Sequence, residues 1–555
     1  MPNTSVTLSN PLPPLPHTTS TTPSAATTTD QRAEALPYGR ATCGAASGAA
    51  CFRDADRRGP MPVAGRHVYM VGIGGCGMSG LARMLKTRGG VISGSDTSRG
   101  VFTETLERDG IAVGFDQSRA WLPEETELVI ASAAIKPDHP QILEAQRRGI
   151  PHLNYAEALG WAMVGQTGVC VAGTHGKSTT TAMLGYVLGE AGLDPNVIVG
   201  ANCPQLGGGF RLGKPEIPAG RLRGEPGLLV VEACEFNRSF HNYSPRIAVI
   251  TSVEADHLDV YGSLDEVIQA FHEFAKLLPH AAAGGKLLIA DQGAHRREIT
   301  AGLECEVQTI GWTPSADWSV RYDPETRNTG LVRKGEGLVA AWITPLPGEH
   351  NAMNAATACA LAVLAGADAD VVARGLSGFK GLERRMQLLG ERKLPGAGAG
   401  GEGVRVYDDY GHHPTEVETT LRALRGFEKP ESRGGRLICV FQPHQHSRTR
   451  FLLEEFASAF SAADVVIVPH IYFVRDSIEE KSKVTASDLV DRLRGKGVQA
   501  MHLYPFEAIV EQLEIVCRPG DVLIVMGAGP VDTVGRGFLA GSGIEKCAAK
   551  GGVCS

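Results

Sequence analysis

The segment Gly173-Thr174-His175-Gly176-Lys177-Ser178-Thr179 follows the apolar run VCVA and precedes a stretch rich in Thr, Ala and Leu. A glycine-rich loop between a strand and a helix points its backbone N–H groups at the phosphates of a nucleoside triphosphate. In that chemistry Lys177 reaches the β- and γ-phosphates and the Ser178 hydroxyl binds Mg2+. The fit to G-x-x-x-x-G-K-[ST] is incomplete, because Val171 stands where the first glycine belongs. Two acidic strand ends follow: Glu232 and Glu235 close LLVVEACE, and Glu254, Asp256, His257 and Asp259 close IAVITSVEADHLD. A divalent ion on a nucleotide takes one or two protein carboxylates besides phosphate oxygens and waters.

A second glycine turn, Gly72-Ile-Gly74-Gly75-Cys-Gly77, follows the run HVYMV and opens an apolar helix from Met78 and Ser79 to Leu85. In G-x-G-x-x-G the first glycine permits the tight turn, the second lets a backbone approach a diphosphate, and the third allows close helix packing. The helix N-terminus offers unpaired N–H groups and the positive end of its dipole. Asp96 lies where a ribose-binding acid belongs. The pattern specifies a diphosphate without specifying which one.

These residues need rigid strand ends. Short apolar runs at 67–71, 127–135, 169–172, 228–234, 247–253, 286–290, 436–442, 463–469 and 521–529 alternate with helical spacers. Such runs predict parallel sheets in α/β domains, with ligands at the carboxyl ends of the strands. Three series predict three α/β domains, in line with 555 residues. The first 30 residues contain 19 Ser, Thr or Pro, a composition that cannot bury a core, so 1–60 reads as a disordered tail. Residues 541–555 read as a second tail and 396–403 (GAGAGGEG) as a surface loop. Gly is abundant at 68 of 555 but has no collagen period. A net charge of −7 argues against nucleic acid and anionic membrane as partners. No apolar run approaches membrane-spanning length. The N-terminus lacks a secretory pattern, and the 12 Cys are scattered without a CxxC pair, so a reducing cytoplasm is expected.

From residue 65 to 540 the chain resembles the Mur ligases of bacterial peptidoglycan synthesis. The resemblance rests on GIGGCGMSGLA (72–82), GTHGKST (173–179), EACEFNRSF (232–240), VEADHLDVYGS (253–263), LPGEHNAMNAATA (346–358), GLERRMQ (381–387), VYDDYGHHPTEV (406–417) and QPHQHSRT (442–449), in one order. It implies a Rossmann-like UDP-sugar domain (65–163), a central phosphate-loop ATPase domain with a mostly parallel sheet (164–374) and a C-terminal Rossmann-like domain (375–540). The implied reaction is ATP-dependent ligation of L-alanine to the lactyl carboxylate of UDP-N-acetylmuramate through an acyl phosphate, with Mg2+. The resemblance implies that the turn at 72–77 holds the UDP diphosphate, through Gly72, Gly74, Gly75, Gly77, Met78, Ser79, Asp96 and Ser132.

Carried over residue by residue, Lys177 resembles the phosphate-neutralising lysine. Ser178 and Glu232, in preference to Glu235, resemble Mg2+ ligands, and His257 resembles the ligand of a second ion. Residues 173–179 cradle the phosphates. His350, Asn351 and Asn354 begin an Ala-rich helix, and Asn351 and Asn354 share the face that receives adenine. Arg385 resembles the arginine that meets ATP phosphate, with Arg384 serving structure, and Asp409 resembles the acid near the ribose. His413 and Arg448 resemble residues lining the acceptor side, where an arginine can hold the carboxylate of alanine. The chain departs from the family pattern QPHRYSRT at Gln445 and His446, and from GAGD at Pro530. The stretch 210–227 reads as an extended, solvated loop.

Three other readings compete. A sister branch of the family attaches a whole tripeptide to the same UDP-sugar; GIGGCGMSGLA resembles the alanine-adding branch better. An NAD-dependent dehydrogenase accounts for the turn at 72–77 but leaves 173–179 unexplained. A non-enzymatic nucleotide-binding module requires a broken catalytic set, whereas Lys177, Glu232 and His257 are all present.

Overall fold

A computed structural model describes residues 59–394, 402–474 and 476–541. Apart from a few edge residues, the expected tails (1–60 and 541–555) and the expected loop at 396–403 lie outside the described residues.

The first sheet is wholly parallel. It comprises β1 (His67–Val71), β2 (Val91–Ser95), β3 (Ala112–Gly114), β4 (Leu128–Ala131) and β5 (His152–Asn154) in the order β3-β2-β1-β4-β5. The order reverses at β1, which places the turn at 72–77 over the crevice where such sheets bind ligands. The helix Cys76–Thr87 that follows has no acidic residue in its first turn.

The second sheet comprises β6 (Thr167–Ala172), β7 (Asn196–Cys203), β8 (Gly208–Arg211), β9 (Leu228–Glu232), β10 (Ile247–Ile250), β11 (Lys286–Ala290), β12 (Glu306–Gly311), β13 (Trp318–Tyr322), β14 (Asn328–Arg333) and β15 (Gly337–Ile343). Its order is β15-β14-β13-β12-β11-β10-β6-β9-β7-β8, parallel except at β13–β14–β15 and β7–β8. Strand β6 is central, flanked by β10 and β9. The carboxyl ends of these three neighbours therefore deliver the loop at 173–179 and both acidic strand ends to one place. The helix Lys177–Glu190 is buried along most of its length against the Ala-rich helix Glu349–Leu364.

The third sheet comprises β16 (Gln387–Arg392), β17 (Val404–Asp409), β18 (Leu437–Phe441), β19 (Val465–Val468), β20 (Gln499–His502) and β21 (Val522–Met526), in the order β16-β17-β21-β18-β19-β20. Only the β16–β17 pair is antiparallel. The helix Pro414–Glu428 follows β17 with Pro at its first position. His413 Nδ1 accepts from Thr415 N–H, and the Glu416 carboxylate accepts from His413 N–H.

Two expectations shift in detail. The boundary expected at 374/375 falls inside the helix Ala369–Ser377, and residues through Leu382 pack in the core under the second sheet. The stretch 210–227 is more built than a solvated loop. Ile217 is fully buried and exchanges backbone hydrogen bonds with Gly224 and Glu225, while Arg221 donates to the carbonyls of Val363 and Leu364 at a helix end. Among the described residues no helix is long and apolar enough to cross a membrane.

Candidate active site

Strand β6 ends at Ala172, and the chain turns through Gly173 (φ +133°) and Gly176 (φ +80°) into the helix that begins at Lys177. Both dihedrals favour glycine. A Cβ on Gly176 would stand 2.5 Å from Asn354 Oδ1, and one on Gly173 would stand 2.1 Å from Thr251 Oγ1. The loop is pinned to the end of β10: Thr174 N–H and His175 N–H donate to Ser252, and Thr251 Oγ1 donates to His175 O. Ser178, Thr179 and Thr174 are buried.

Lys177 points back over its own loop. Its Nζ donates to Gly173 O (2.5 Å), Thr174 O (3.0 Å) and Glu235 Oε1 (3.0 Å). Burial alone would lower the Lys177 pKa, but the charge and hydrogen bond of Glu235, together with the nearby Glu232 and Cys234, raise it and keep the ammonium protonated. Ser178 Oγ lies 3.1 Å from Glu232 Oε1, and Glu232 Oε2 accepts from Gly200 N–H. A hydroxyl beside a carboxylate at the mouth of a phosphate loop is the hard-oxygen donor set that Mg2+ takes, so the residues present fit a nucleotide–Mg2+ complex. His257 caps the short helix Leu258–Tyr261 with a left-handed backbone (φ 53°) and sits edge-on to Phe236. Burial lowers its pKa to about 4, which keeps the imidazole neutral as a metal ligand must be.

The third sheet closes the site from the opposite side. Arg448, on the helix His446–Phe451, is buried and donates to Asp256 Oδ1 through Nε (3.1 Å) and Nη2 (2.8 Å). It also reaches His444 Nδ1 (3.2 Å) and His257 Nδ1 (3.5 Å). The arginine expected to meet the acceptor carboxylate is thus already paired with a carboxylate from the end of β10. Gln445 is buried, and its backbone holds Tyr472 O and the Thr449 hydroxyl. His446 packs on Phe473 while its backbone N–H donates to Asp476. Both departures from the family motif are therefore interior positions, and neither supplies a fixed positive charge.

His175 joins the two halves. Its Nδ1 lies 3.2 Å from Glu416 Oε1 on the third-sheet side, and its Nε2 lies 3.4 Å from Glu254 Oε2 on the second-sheet side. Thr415 Oγ1 donates to Glu254 Oε2 (2.7 Å). Burial alone would lower the His175 pKa, but hydrogen bonds and charge from Glu254 and Glu416 outweigh it and raise it to about 9. The His413 ring lies tilted against that of His175, with centroids 4.9 Å apart. His175, Glu254 and His413 offer one ligand atom each within 4.8 Å of one another. Glu416 engages His175 Nδ1, and Thr415 engages Glu254 and His413 Nδ1, a charged clasp between the phosphate loop and the helix Pro414–Glu428 in which His413 Nε2 is buried without a hydrogen-bond partner.

The linker between the second and third sheets divides its two arginines. Arg384 donates to the carbonyls of Gly527 and Gly529 and faces Asp408, so it holds the fold together. Arg385 lies over the Tyr410 ring and carries its charge toward Asp409 and Glu416. Asp409 is consumed locally, accepting from Met386 N–H and Gly411 N–H at 2.7 Å each. Asn351 and Asn354 do share a buried helix face. Asn351 Nδ2 donates to Pro347 O beside Met386, and Asn354 Oδ1 accepts from Thr180 Oγ1, so Asn354 braces the phosphate-loop helix. His350 Nδ1 is buried without a partner, and burial lowers the pKa to about 4. Pro530 starts the turn into the helix Asp532–Ala540, where its carbonyl accepts from Thr533.

At the first sheet, Gly72 has φ +75° and a Cβ there would meet Ser132 Cβ at 2.9 Å. Gly74 N–H donates to Asp96 Oδ2 (2.8 Å), and Asp96 Oδ1 takes Thr97 N–H. A Cβ on Gly77 would stand 2.5 Å from Tyr155 Oη, the close helix packing that the motif predicts. Gly75 caps the helix, Met78 is buried, and Ser79 Oγ donates to Cys76 O. From Ser79 a cleft opens past Arg83, Arg108, Asn202 and Phe210 to Glu383, joining elements of the first two sheets to the linker.

Sequence reasoning gives no role to Glu416, which the clasp depends on, and sets Glu235 aside. The pattern H-P-T-E signals Glu416 as a capping residue. Nothing local signals its reach to His175, 241 residues away.

Comparison with known proteins agrees with this architecture. Three family models match in order: "Mur ligase family, catalytic domain" at 67–167, "Mur ligase middle domain" at 171–362, and "Mur ligase, glutamate ligase domain" at 384–529. The chain is 34% identical to a UDP-N-acetylmuramate–L-alanine ligase of Clostridium kluyveri over 478 residues, covering 85% of this chain and 98% of the relative. It is 38% identical to the enzyme of that name from a Mycobacterium species over 493 residues, covering 87% and 96%. Among solved structures, the fold is similar to UDP-N-acetylmuramate–alanine ligase of Thermotoga maritima (TM-score 0.66, 24% identity, 87% of this chain and 99% of that one). It is also similar to a murein peptide ligase of Psychrobacter arcticus (TM-score 0.64, 22% identity, 86% and 98%). With three consecutive domain models matched and relatives aligned over nearly their whole length, the chain belongs to the Mur ligase family.

Proposed function

We propose that this chain joins L-alanine to the lactyl carboxylate of UDP-N-acetylmuramate, using ATP, in peptidoglycan synthesis. The observation that carries the reading is the meeting, at the ends of β6, β9 and β10, of Lys177, the Ser178–Glu232 pair and a cationic group from the third sheet. The names of the full-length relatives supply the substrates.

A carboxylate is a poor acyl donor. One of its oxygens attacks the γ-phosphorus, ADP leaves, and the acyl phosphate carries phosphate as its leaving group. The amine of alanine attacks the carbonyl carbon and loses a proton, and phosphate departs with the original carboxylate oxygen. Two anions must approach one another, so the chain's task is positioning and charge neutralisation. The glycine loop orients the phosphates on its N–H groups, Lys177 neutralises them, and Arg385 meets them from the linker. Mg2+ held by Ser178 and Glu232 supplies further charge neutralisation on the phosphates when bound. His257, kept neutral, offers a lone pair to a second ion. Asn351 and Asn354 line the adenine side, with Asp409 shaping the turn near the ribose. The turn at 72–77, with Ser79, Asp96 and Ser132, holds the UDP moiety, and the cleft past Arg83 and Asn202 leads the sugar to the phosphate loop. His413 and Arg448 border the acceptor. The eight free cysteines of the described residues suit a reducing cytoplasm.

The test is ADP release with UDP-N-acetylmuramate and either L-alanine or the L-alanyl-γ-D-glutamyl-diaminopimelate tripeptide. Turnover with alanine supports the reading, whereas turnover with the tripeptide alone moves the chain to the tripeptide-adding branch.

A further inference from the structure

Lys177 has three N–H donors, and all three are spent inside the protein, on Gly173 O, Thr174 O and Glu235. The Glu235 carboxylate faces Nζ with both oxygens, at 3.0 and 2.9 Å. It is almost fully buried, and its Oε2 has no hydrogen-bond partner of good geometry. The backbone behind it is fixed, because Glu235 O accepts from Arg238 N–H and from the Tyr261 hydroxyl. With that backbone fixed, the pair opens only by side-chain rotation, and a Glu235 carboxylate that stays in place remains as a charge beside the incoming phosphate. Burial pushes the Glu235 pKa up, and of the charged groups that act on it, Lys177 draws it and the acidic Asp256 repels it.

The geometry points to Glu235 as a resident counter-ion that stands in the phosphate's place at Lys177, so that nucleotide binding at this loop is an exchange of one anion for another. The carboxylate keeps the buried ammonium paired while the loop is empty, and it opposes the triphosphate as the loop fills. It is a positioning residue, acting through Lys177. The inference rests on the ATP-using reading of the same site.

The test is calorimetric titration of the full chain with the non-hydrolysable analogue adenylyl imidodiphosphate and Mg2+. Melting is measured with and without the analogue. Glu235→Gln keeps the shape and removes the opposing charge. The analogue should bind about tenfold more tightly than to the native chain. The melting temperature of the free protein should fall, and the gain on adding the analogue should grow. A carboxylate needed only for folding would lower both melting temperatures together and leave affinity unchanged or weaker, and that result overturns the inference. If Glu235→Gln does not fold, Glu235→Asp withdraws the carboxylate by one methylene. It should tighten binding by about threefold, and unchanged or weaker binding overturns the inference equally. No analogue binding even to the native chain would overturn the ATP reading, and this inference with it. Binding to the native chain without tightening in the variants would overturn only this inference.

Discussion

Two glycine turns in this molecule share one plan and differ in what fills them. Each ends a parallel strand, opens a helix, and relies on glycines where a Cβ would collide with a neighbour. At 72–77 a carboxylate, Asp96, accepts one backbone N–H, and the first helical turn carries no charged side chain. At 173–179 the helix begins with a lysine, and the resident carboxylate, Glu235, pairs with that ammonium instead. The first turn suits an anion that is held and left unchanged. The second carries a cation and its counter-ion, which suits an anion whose charge is redistributed during reaction.

The largest effect that can break this comparison is Lys177→Ala. Acyl-phosphate formation, read as ADP release, should fall by about a thousandfold while UDP-sugar affinity stays within about twofold. Equal loss of both would mean that the two turns do not divide the work. Gly74→Ala is the converse. Its Cβ would meet Thr103 Cγ2 at 2.6 Å and Asp96 Oδ2 at 2.8 Å, so UDP-sugar affinity should fall by about a hundredfold while binding of an ATP analogue persists.

A smaller, pH-dependent effect belongs to the second turn alone. The His175 pKa is raised to about 9 from an ordinary 6.5, so the clasp to Glu416 and Glu254 is fully present below about pH 6.5 and is lost as pH rises through about 9. Between pH 7 and 9.5 the native chain should lose about 2 °C more in melting temperature than Glu416→Gln, in which that shift is reduced. Matching pH profiles would remove His175 from the clasp. Smallest of all is Asp96→Asn, which keeps an oxygen acceptor for Gly74 N–H. Melting should move by less than about 2 °C, in contrast to the lowered free-state melting expected of Glu235→Gln.

Much of the framework was legible in the sequence because buried parallel strands read as apolar runs. β1, β6, β9, β10, β18, β19 and β21 all fall where such runs lie. The antiparallel strands β13–β15 did not announce themselves. β15 alternates buried and exposed positions, Trp342 in and Ile343 out, and its neighbours mix polar residues into the same pattern. The residues of the phosphate loop were legible because their spacing is dictated by backbone geometry around an anion. Their partners were not, since pairing across the fold leaves no local pattern. Lys177 meets Glu235 58 residues away, and Arg448 meets Asp256 192 residues away. Asn354 illustrates the same limit. Its helical spacing with Asn351 is visible in the sequence, but its hydrogen bond to Thr180 depends on how two helices pack.

In this reading one substrate is gripped at the first turn while its carboxylate is activated at the second. The most direct measurement uses UDP-N-acetylmuramate labelled with 18O in the lactyl carboxylate, followed through turnover with ATP and L-alanine. Attack of that carboxylate on the γ-phosphorus predicts one labelled oxygen in each inorganic phosphate released. Unlabelled phosphate formed together with the amide would contradict an acyl phosphate, and with it the role given to Lys177.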